Sequence, residues 1–398
     1  MVSTHFKESM MNRRNFIKVV GLGVGSVALS SAVVSCSSSS NPSDNYGWNG
    51  PDSSQKDIRM QVLSYAILCP NAHNIQPWTI KMTGDESFDL YVDPQRLLPE
   101  TDPIYRQIHI SQGTFLETLS IAASGLGYDA IIDYFPQGMY GNTELLDKPV
   151  ASINLVKQSQ ISPDPLFGHL LTRHSNKREY GNYKLTQMEL DTLQSFTEQR
   201  GSYPLSITDS TEEKLKLEKV LTDAMQIEVS NNDRSHETIA MFRFDQDEVN
   251  KYRDGFGVSQ AGLTGIKKIM VENFFLSREK TEKDPTEFDQ QAVDMTKKTV
   301  ASTETFGWIT SAGNSRLDQV IVGRDYCRLN LKTTAMGLAQ HPMSQVLQEY
   351  SDMLPLQAEF KKAFGIDDND TVQMLFRLGK AKKTPHGPRR VVSQLITA

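Results

Sequence analysis

Apolar residues at Ile58, Val62, Leu63, Ala66 and Ile67 recur at helical spacing and predict a helix with a narrow apolar stripe. Asp57 stands at the N-cap position, and Pro70 ends the helix because the residue before a proline is pushed out of the helical region. The period then changes to two: Trp78–Met82 and Phe88–Val92 alternate around the turn Gly84-Asp85-Glu86-Ser87, the pattern of a hairpin. A long helix is predicted from about Tyr105 to Leu126 on Ile108, Phe115, Leu119, Ala122 and Ala123. Its small residues Gly113, Ser120, Ser124 and Gly125 allow another helix to come close. Strands are predicted at 130–135 and 151–156.

A second unit begins near Pro163, with a short helix over 165–173 and another over 187–196 capped by Thr186. Residues 210–300 read as mostly helical and charged, and a closing strand is predicted at 373–378. Ser111-Gln112-Gly113 and Ser311-Ala312-Gly313 read as matching starts of two long helices, the second running through Gly337. This internal repeat suggests two related halves, 56–160 and 161–398.

The composition is that of an ordinary globular chain: 398 residues, 38% hydrophobic and 23% charged. A net charge of −6 argues against a nucleic-acid-binding surface. Arg13-Arg14 precedes the Gly-rich apolar run Val19–Val34, which reads as an export signal of the twin-arginine kind. Val33-Val34-Ser35-Cys36 resembles a bacterial lipobox, so Cys36 is the expected lipidation site; the alternative is a plain signal peptide with an incidental cysteine. Residues 37–55, rich in Ser, Asn, Pro and Gly, read as a flexible tether. The expectation is an exported protein on the periplasmic face, touching the membrane only through a lipid anchor. Three cysteines are too few for a disulfide scaffold, and the histidines lack metal-ligand spacing. No Walker loop, Gly-x-Ser-x-Gly or dinucleotide-binding fingerprint is present.

Two stretches carry candidate chemistry. In Cys69-Pro70-Asn71-Ala72-His73-Asn74-Ile75-Gln76-Pro77-Trp78, two prolines bracket a loop of small and amide-bearing residues that suits a flat heteroaromatic ligand, or is an ordinary helix-to-strand turn. In Arg173-His174-Ser175-Asn176-Lys177-Arg178, the alternate residues Arg173, Ser175 and Lys177 share a face if the chain is extended, and could grip a phosphate monoester; a solvated basic turn is the other reading. Arg253-Asp254-Gly255-Phe256-Gly257 reads either as a lid turn or as a plain loop. Cys69 and Cys327 read as packed core, and His73 as a polar surface histidine or, alternatively, one facing a substrate.

Arg-His-Ser-x-Lys beside Pro-x-x-x-Asn-x-Gln-Pro-Trp resembles the nitroreductase superfamily of FMN proteins. The resemblance implies an α+β fold in which each half has an antiparallel-rich sheet packed by helices. In ordinary homodimeric members the phosphate motif precedes the proline loop and the two come from different subunits. Here the order is reversed, which is similar to the Acg-like branch of fused, intramolecular pseudo-dimers and implies a monomer with one complete FMN site. The resemblance implies that Arg173, Ser175, Lys177 and Arg389, with Arg390 as second choice, hold the phosphate. Pro70, Asn71, Ala72 and Asn74 would line the ring, with Ser344 and Gln345 near its reactive edge, where many members have Glu-Gly. The flavin itself would carry the chemistry, with no catalytic side chain. The implied activity is a ping-pong oxidoreductase passing two electrons from a small donor to a nitroaromatic, quinone or similar acceptor. Because an exported protein meets little nicotinamide cofactor, an FMN-binding or storage protein is the alternative, and a flavin-free surface module a third.

Overall fold

The computed structural model describes residues 45–397, so the twin-arginine stretch, the lipobox and Cys36 lie outside the described residues. Helix α1 (Ile58–Ala66) starts at Asp57, whose carboxylate accepts from the Arg59 backbone. Strands β1 (Trp78–Gly84) and β2 (Ser87–Val92) form the hairpin, with Trp78 opposite Val92. Helix α2 (Arg106–Gly125) and strands β3 (Tyr128–Tyr134) and β4 (Ala151–Lys157) complete the first half. Its sheet runs β3-β4-β2-β1, all antiparallel.

The second half opens with α3 (Gln187–Glu198), held by a Thr186–Glu189 capping box, and β5 (Leu205–Thr208). A helical stretch follows: α4 (Thr211–Val229), α5 (Asn232–Met241), α6 (Gln246–Tyr252), α7 (Gly265–Phe274), α8 (Arg278–Lys283) and α9 (Thr286–Ala301). Then come β6 (Thr305–Ser311), α10 (Arg316–Ala335), β7 (Ala339–Pro342), α11 (Leu354–Ala363) and β8 (Thr371–Gly379). The second sheet runs β5-β6-β8-β7. Matching β1, β2, β3 and β4 to β5, β6, β7 and β8 gives the same strand order in both sheets. The fold is thus α+β with two similarly wound halves.

Helices α2 and α10 are the axis of this likeness. Both have 20 residues, and both open on a fully buried arginine, Arg106 and Arg316, 210 positions apart (316 − 106). They cross at Gly113 and Gly323, again 210 apart. A Cβ on Gly113 would fall 1.9 Å from the Val320 carbonyl oxygen, and one on Gly323 would fall 2.0 Å from that of Ile110. Each glycine meets the carbonyl three residues before the other, as a two-fold related pair does. The repeat is therefore real in register but not where the Ser-x-Gly match put it. Ser111 lies inside α2, while Ser311 closes β6 and the cap of α10 is Ser315. Glycine here marks the helix crossing, not the helix start.

Other expectations also shift. Residues 165–173 give only a single 3-10 turn, Phe167–His169, and no helix. Strand β6 is buried at every position, so it shows no alternation to read, and β5 and β7 have four residues each. The C-terminal strand β9 (Ile396–Thr397) returns to the first sheet and pairs in parallel with β1, so residues 161–398 are not confined to the second half. The expected tether overlaps a packed turn: Trp48 is buried, and its indole Nε1 donates to the Gly387 carbonyl at 2.8 Å.

Candidate functional site

The proline loop folds back through three left-handed, non-glycine residues, His73 (φ 48°), Asn74 (φ 55°) and Gln76 (φ 57°). Such conformations cost on the order of 1 kcal/mol each, so something must hold them. Asn71 Oδ1 accepts from the Gln76 backbone at 2.8 Å. Asn74 Nδ2 donates to the carbonyls of Gly255 (2.8 Å) and Pro388 (2.9 Å), and its Oδ1 accepts from Arg389 at 2.6 Å. Gln76, fully buried, donates to the Arg253 carbonyl at 2.8 Å and accepts from the Arg390 backbone at 2.8 Å. The side-chain amides of Asn71 and Asn74, expected to meet a ring edge, are therefore engaged in holding the loop. Ala72 offers its backbone N–H to Ser111 Oγ at 3.2 Å, and the carbonyl of buried Pro70 accepts from Thr114.

Behind the loop lie two buried guanidinium groups. Arg173 donates to the Leu68 carbonyl (2.9 Å) and to Asn330 Oδ1 of α10 (3.1 Å). Arg389 donates to Asn74 Oδ1 and the Cys69 carbonyl (3.3 Å), while its Nε is buried without an acceptor. Both stand over the Trp48 ring, at 5.6 and 5.0 Å from its centroid. Trp48 in turn stacks flat on His386, with 3.9 Å between centroids. Among the described residues no carboxylate pairs with either guanidinium, whereas buried Arg106, Arg234 and Arg243 face Glu349, Asp352 and Asp254. Burial, with Arg173 alongside, pushes Arg389 down to about 9. Burial also lowers Arg173 and, with Arg173 beside it, holds His386 down to about 3. Burying a guanidinium without a counter-charge costs several kcal/mol, which an anionic ligand would offset.

A second cationic pole lies at the other end of the motif. Half-buried Lys177 points its ammonium at the Phe256 ring, 4.0 Å away. Burial and then Arg377 lower it to about 8. Arg377 stacks on Tyr180 at 3.8 Å and donates to His341 Nδ1 at 3.2 Å. His73 meets Phe256 edge-on at 5.7 Å, and burial, then Lys177, push it down to about 4; its Nδ1 is buried without a partner. Phe256 belongs to the stretch read as lid or loop. It closes over the proline loop, with the Gly255 N–H donating to the Asn74 carbonyl at 3.1 Å.

The structure thus gathers Arg173 and Arg389 at one pole, carries Lys177 to the other, and leaves Ser175 half-buried. Arg390 does not join them. Its guanidinium donates to the Gln76 carbonyl (3.1 Å) and pairs with Asp93 at 3.5 Å, tying the C-terminal segment to the residues that flank the β1–β2 hairpin. Gln345 turns its side chain to the buried Glu228, whose carboxyl burial pushes up to about 7, and Ser344 caps the 3-10 turn Gln345–Leu347. Trp48, His386, Asn330 and Arg377 are the participants that the sequence reading missed. Two had a signal: Trp48 is a large aromatic in an otherwise small, polar stretch, and Arg377 is a lone cation in the apolar strand β8.

The lowered Lys177 sets a pH dependence. Its folded pKa, about 8, lies below the usual 10.5, so between these values the unfolded chain holds more protons and stability rises with pH. Lys177→Met should stabilise the ligand-free protein at pH 7 by on the order of 1–3 kcal/mol and flatten the rise between pH 8 and 10.5. Urea unfolding across that range measures it; an unchanged pH slope would count against a buried ammonium.

Among the described residues no group of three or more His, Cys, Asp or Glu could hold a metal ion, and no helix is long and apolar enough to cross a membrane.

Comparison with known proteins finds no matching family model. A Mycobacterium tuberculosis protein named as an NAD(P)H nitroreductase is 35% identical over 75 residues, 19% of this chain and 22% of that protein. An uncharacterized protein of the same organism is 39% identical over 75 residues, 18% of this chain and 22% of its own length. The match thus spans about a fifth of these curated relatives. Among solved structures, a protein named as a nitroreductase from Anabaena variabilis has a TM-score of 0.39 at 12% identity, covering 79% of this chain and 82% of its own. The FMN-dependent nitroreductase of Mycobacterium smegmatis, solved with NADPH, has a TM-score of 0.33 at 12% identity, covering 56% and 92%.

Proposed function

We propose that this chain is an FMN-dependent oxidoreductase of nitroreductase type, built as an intramolecular pseudo-dimer with one flavin site. The observation that carries this reading is the pair of buried guanidiniums, Arg173 and Arg389, without a carboxylate partner among the described residues. Their donor set fits a dianionic phosphate: planar forks, an orphaned Arg389 Nε and a dry setting that strengthens charge-assisted bonds. Arg173 and Arg389 hold the phosphate. Lys177, poised between charged and neutral near pH 8, faces the heteroaromatic end beside the proline loop. Bound FMN would supply the two-electron transfer. The chain's own groups orient it, exclude water and keep His73 and His341 neutral beside it.

The short match to an NAD(P)H nitroreductase supports a small-molecule reductant, with a nitroaromatic or quinone as acceptor in a ping-pong cycle. The matching strand orders and the α2–α10 crossing support a fusion of two related halves that works as a monomer. Export by the twin-arginine route with lipidation at Cys36 accounts for the N-terminal sequence. A second reading, an exported FMN-holding protein with little turnover, is favoured by the closure of both poles, one by Trp48 and one by Phe256.

Purification separates these readings. The enzyme reading expects a yellow protein that NADH or NADPH bleaches and a quinone or nitroaromatic recolours. A yellow protein that neither nicotinamide bleaches supports the holding role. A colourless protein that does not bind added FMN contradicts both.

A further inference from the structure

Helix α7 shows its apolar side to the outside. Ile266, Ile269, Met270 and Phe274 are 77%, 56%, 44% and 77% exposed, and at about 100° per residue they fall on one stripe. The opposite side seats the helix: Val271 is buried, and Lys268 pairs with Glu272. Four large apolar side chains on one outward face mark a surface for something apolar. Lys267, exposed beside the stripe, adds positive charge.

The place of α7 says what that surface meets. Lys268 Nζ donates to Gln246 Oε1 at 2.8 Å, and Gln246 Nε2 donates to the Tyr46 hydroxyl at 2.8 Å. Tyr46 also donates to Asn250 Oδ1. The seated side of α7, at Lys268, therefore lies two side chains away from Tyr46, near where the described chain begins, and the apolar stripe is the outward face of the same short helix. Asn45 comes nine residues after Cys36 (45 − 36), at most about 30 Å of extended chain. A lipid on Cys36 would thus keep the Tyr46 side of the molecule, and α7 with it, close to a bilayer.

We infer that α7 is an interfacial helix that lays Ile266, Ile269, Met270 and Phe274 into the lipid surface to which the N-terminal sequence directs the protein. Lys267 faces anionic headgroups, as basic residues beside such stripes do. The inference does not depend on the flavin reading.

Tryptophan fluorescence tests it. The three native tryptophans, Trp48, Trp78 and Trp308, are buried, so a fourth, introduced by Phe274→Trp in the full chain, reports on the α7 surface. The variant chain is mixed with vesicles of phosphatidylethanolamine and phosphatidylglycerol whose acyl chains are brominated or not. The expected result is a blue-shifted added emission that brominated chains quench at least two-fold. Adding Ile266→Ser and Ile269→Ser to the variant should abolish the quenching. Added emission that bromine leaves unquenched overturns the inference. That holds whether the residue stays in water, is covered by a second copy in a concentration-dependent way, or is covered by residues 1–44 before vesicles are added.

Discussion

Arg173→Ala lowers FMN affinity by about 2–4 kcal/mol, roughly thirty- to seven-hundred-fold in Kd, as expected when one partner of a buried charge-assisted contact is removed. The same change leaves the Leu68 carbonyl and Asn330 without their donor, so lost folding could imitate lost binding. Arg389→Gln guards against this, because a glutamine amide can still serve Asn74 while removing the charge. The two effects have opposite signs. An unpaired buried cation destabilises the ligand-free protein, so Arg389→Gln should hold or raise the melting temperature without FMN. It should also remove most of the increase that FMN gives, since a ligand stabilises in proportion to how tightly it binds the folded state. Thermal melts with and without FMN read both effects. Wild-type affinity in either variant would remove the phosphate assignment.

The second large effect belongs to the crossing of α2 and α10. Gly113→Ala places a methyl group 1.9 Å from the Val320 carbonyl oxygen, and Gly323→Ala does the same 2.0 Å from that of Ile110. The obstacle is helix backbone on both sides, so the helices must separate along their length. Each change should destabilise by about 3 kcal/mol or more, at the upper end of overpacking effects. The double variant should cost less than the sum, because one separation relieves both clashes. Gly168→Ala, with nothing within 4 Å of the added carbon, serves as the neutral control. Urea unfolding gives all four values. Additive losses, or a harmless Gly113→Ala, would mean that the two glycines are not one contact.

The first half is legible in the sequence because its elements carry periodic signals. The Asp57 cap, the hairpin around Gly84 and the span of α2 all appear where they were expected. The second half was harder to read for physical reasons. Strand β6 is covered on both faces and so has no alternation, while β5 and β7 are shorter than a pattern needs. The halves match in strand order and helix length, yet the repeat visible in sequence was displaced by ten positions. Gly113 aligns with Gly323, a pairing that only the close backbone contact makes evident.

The site was legible in its charges but not in its amides. Arg173 and Arg389, distant in sequence, meet over Leu68 and Cys69 as the two basic motifs suggested. Asn71 and Asn74 looked like ligand-facing groups because their chemistry permits it. They are engaged instead because three residues of the loop, His73, Asn74 and Gln76, sit in the left-handed region and need pinning. Arg389 and Arg390 are adjacent, and no local rule distinguishes them. The carboxylate of Asp93 captures one and leaves the other without a counter-charge.

The central claim is that the Arg173–Arg389 pair exists to hold a phosphate. Its most direct test compares FMN with riboflavin, which has the same ring system without the phosphate, by fluorescence titration of the flavin-stripped wild-type chain. FMN should bind at least a hundred-fold tighter than riboflavin, equivalent to about 2.8 kcal/mol for the phosphate, and Arg389→Gln should shrink that gap. Equal affinity for the two flavins, or a gap that Arg389→Gln leaves intact, would contradict the account.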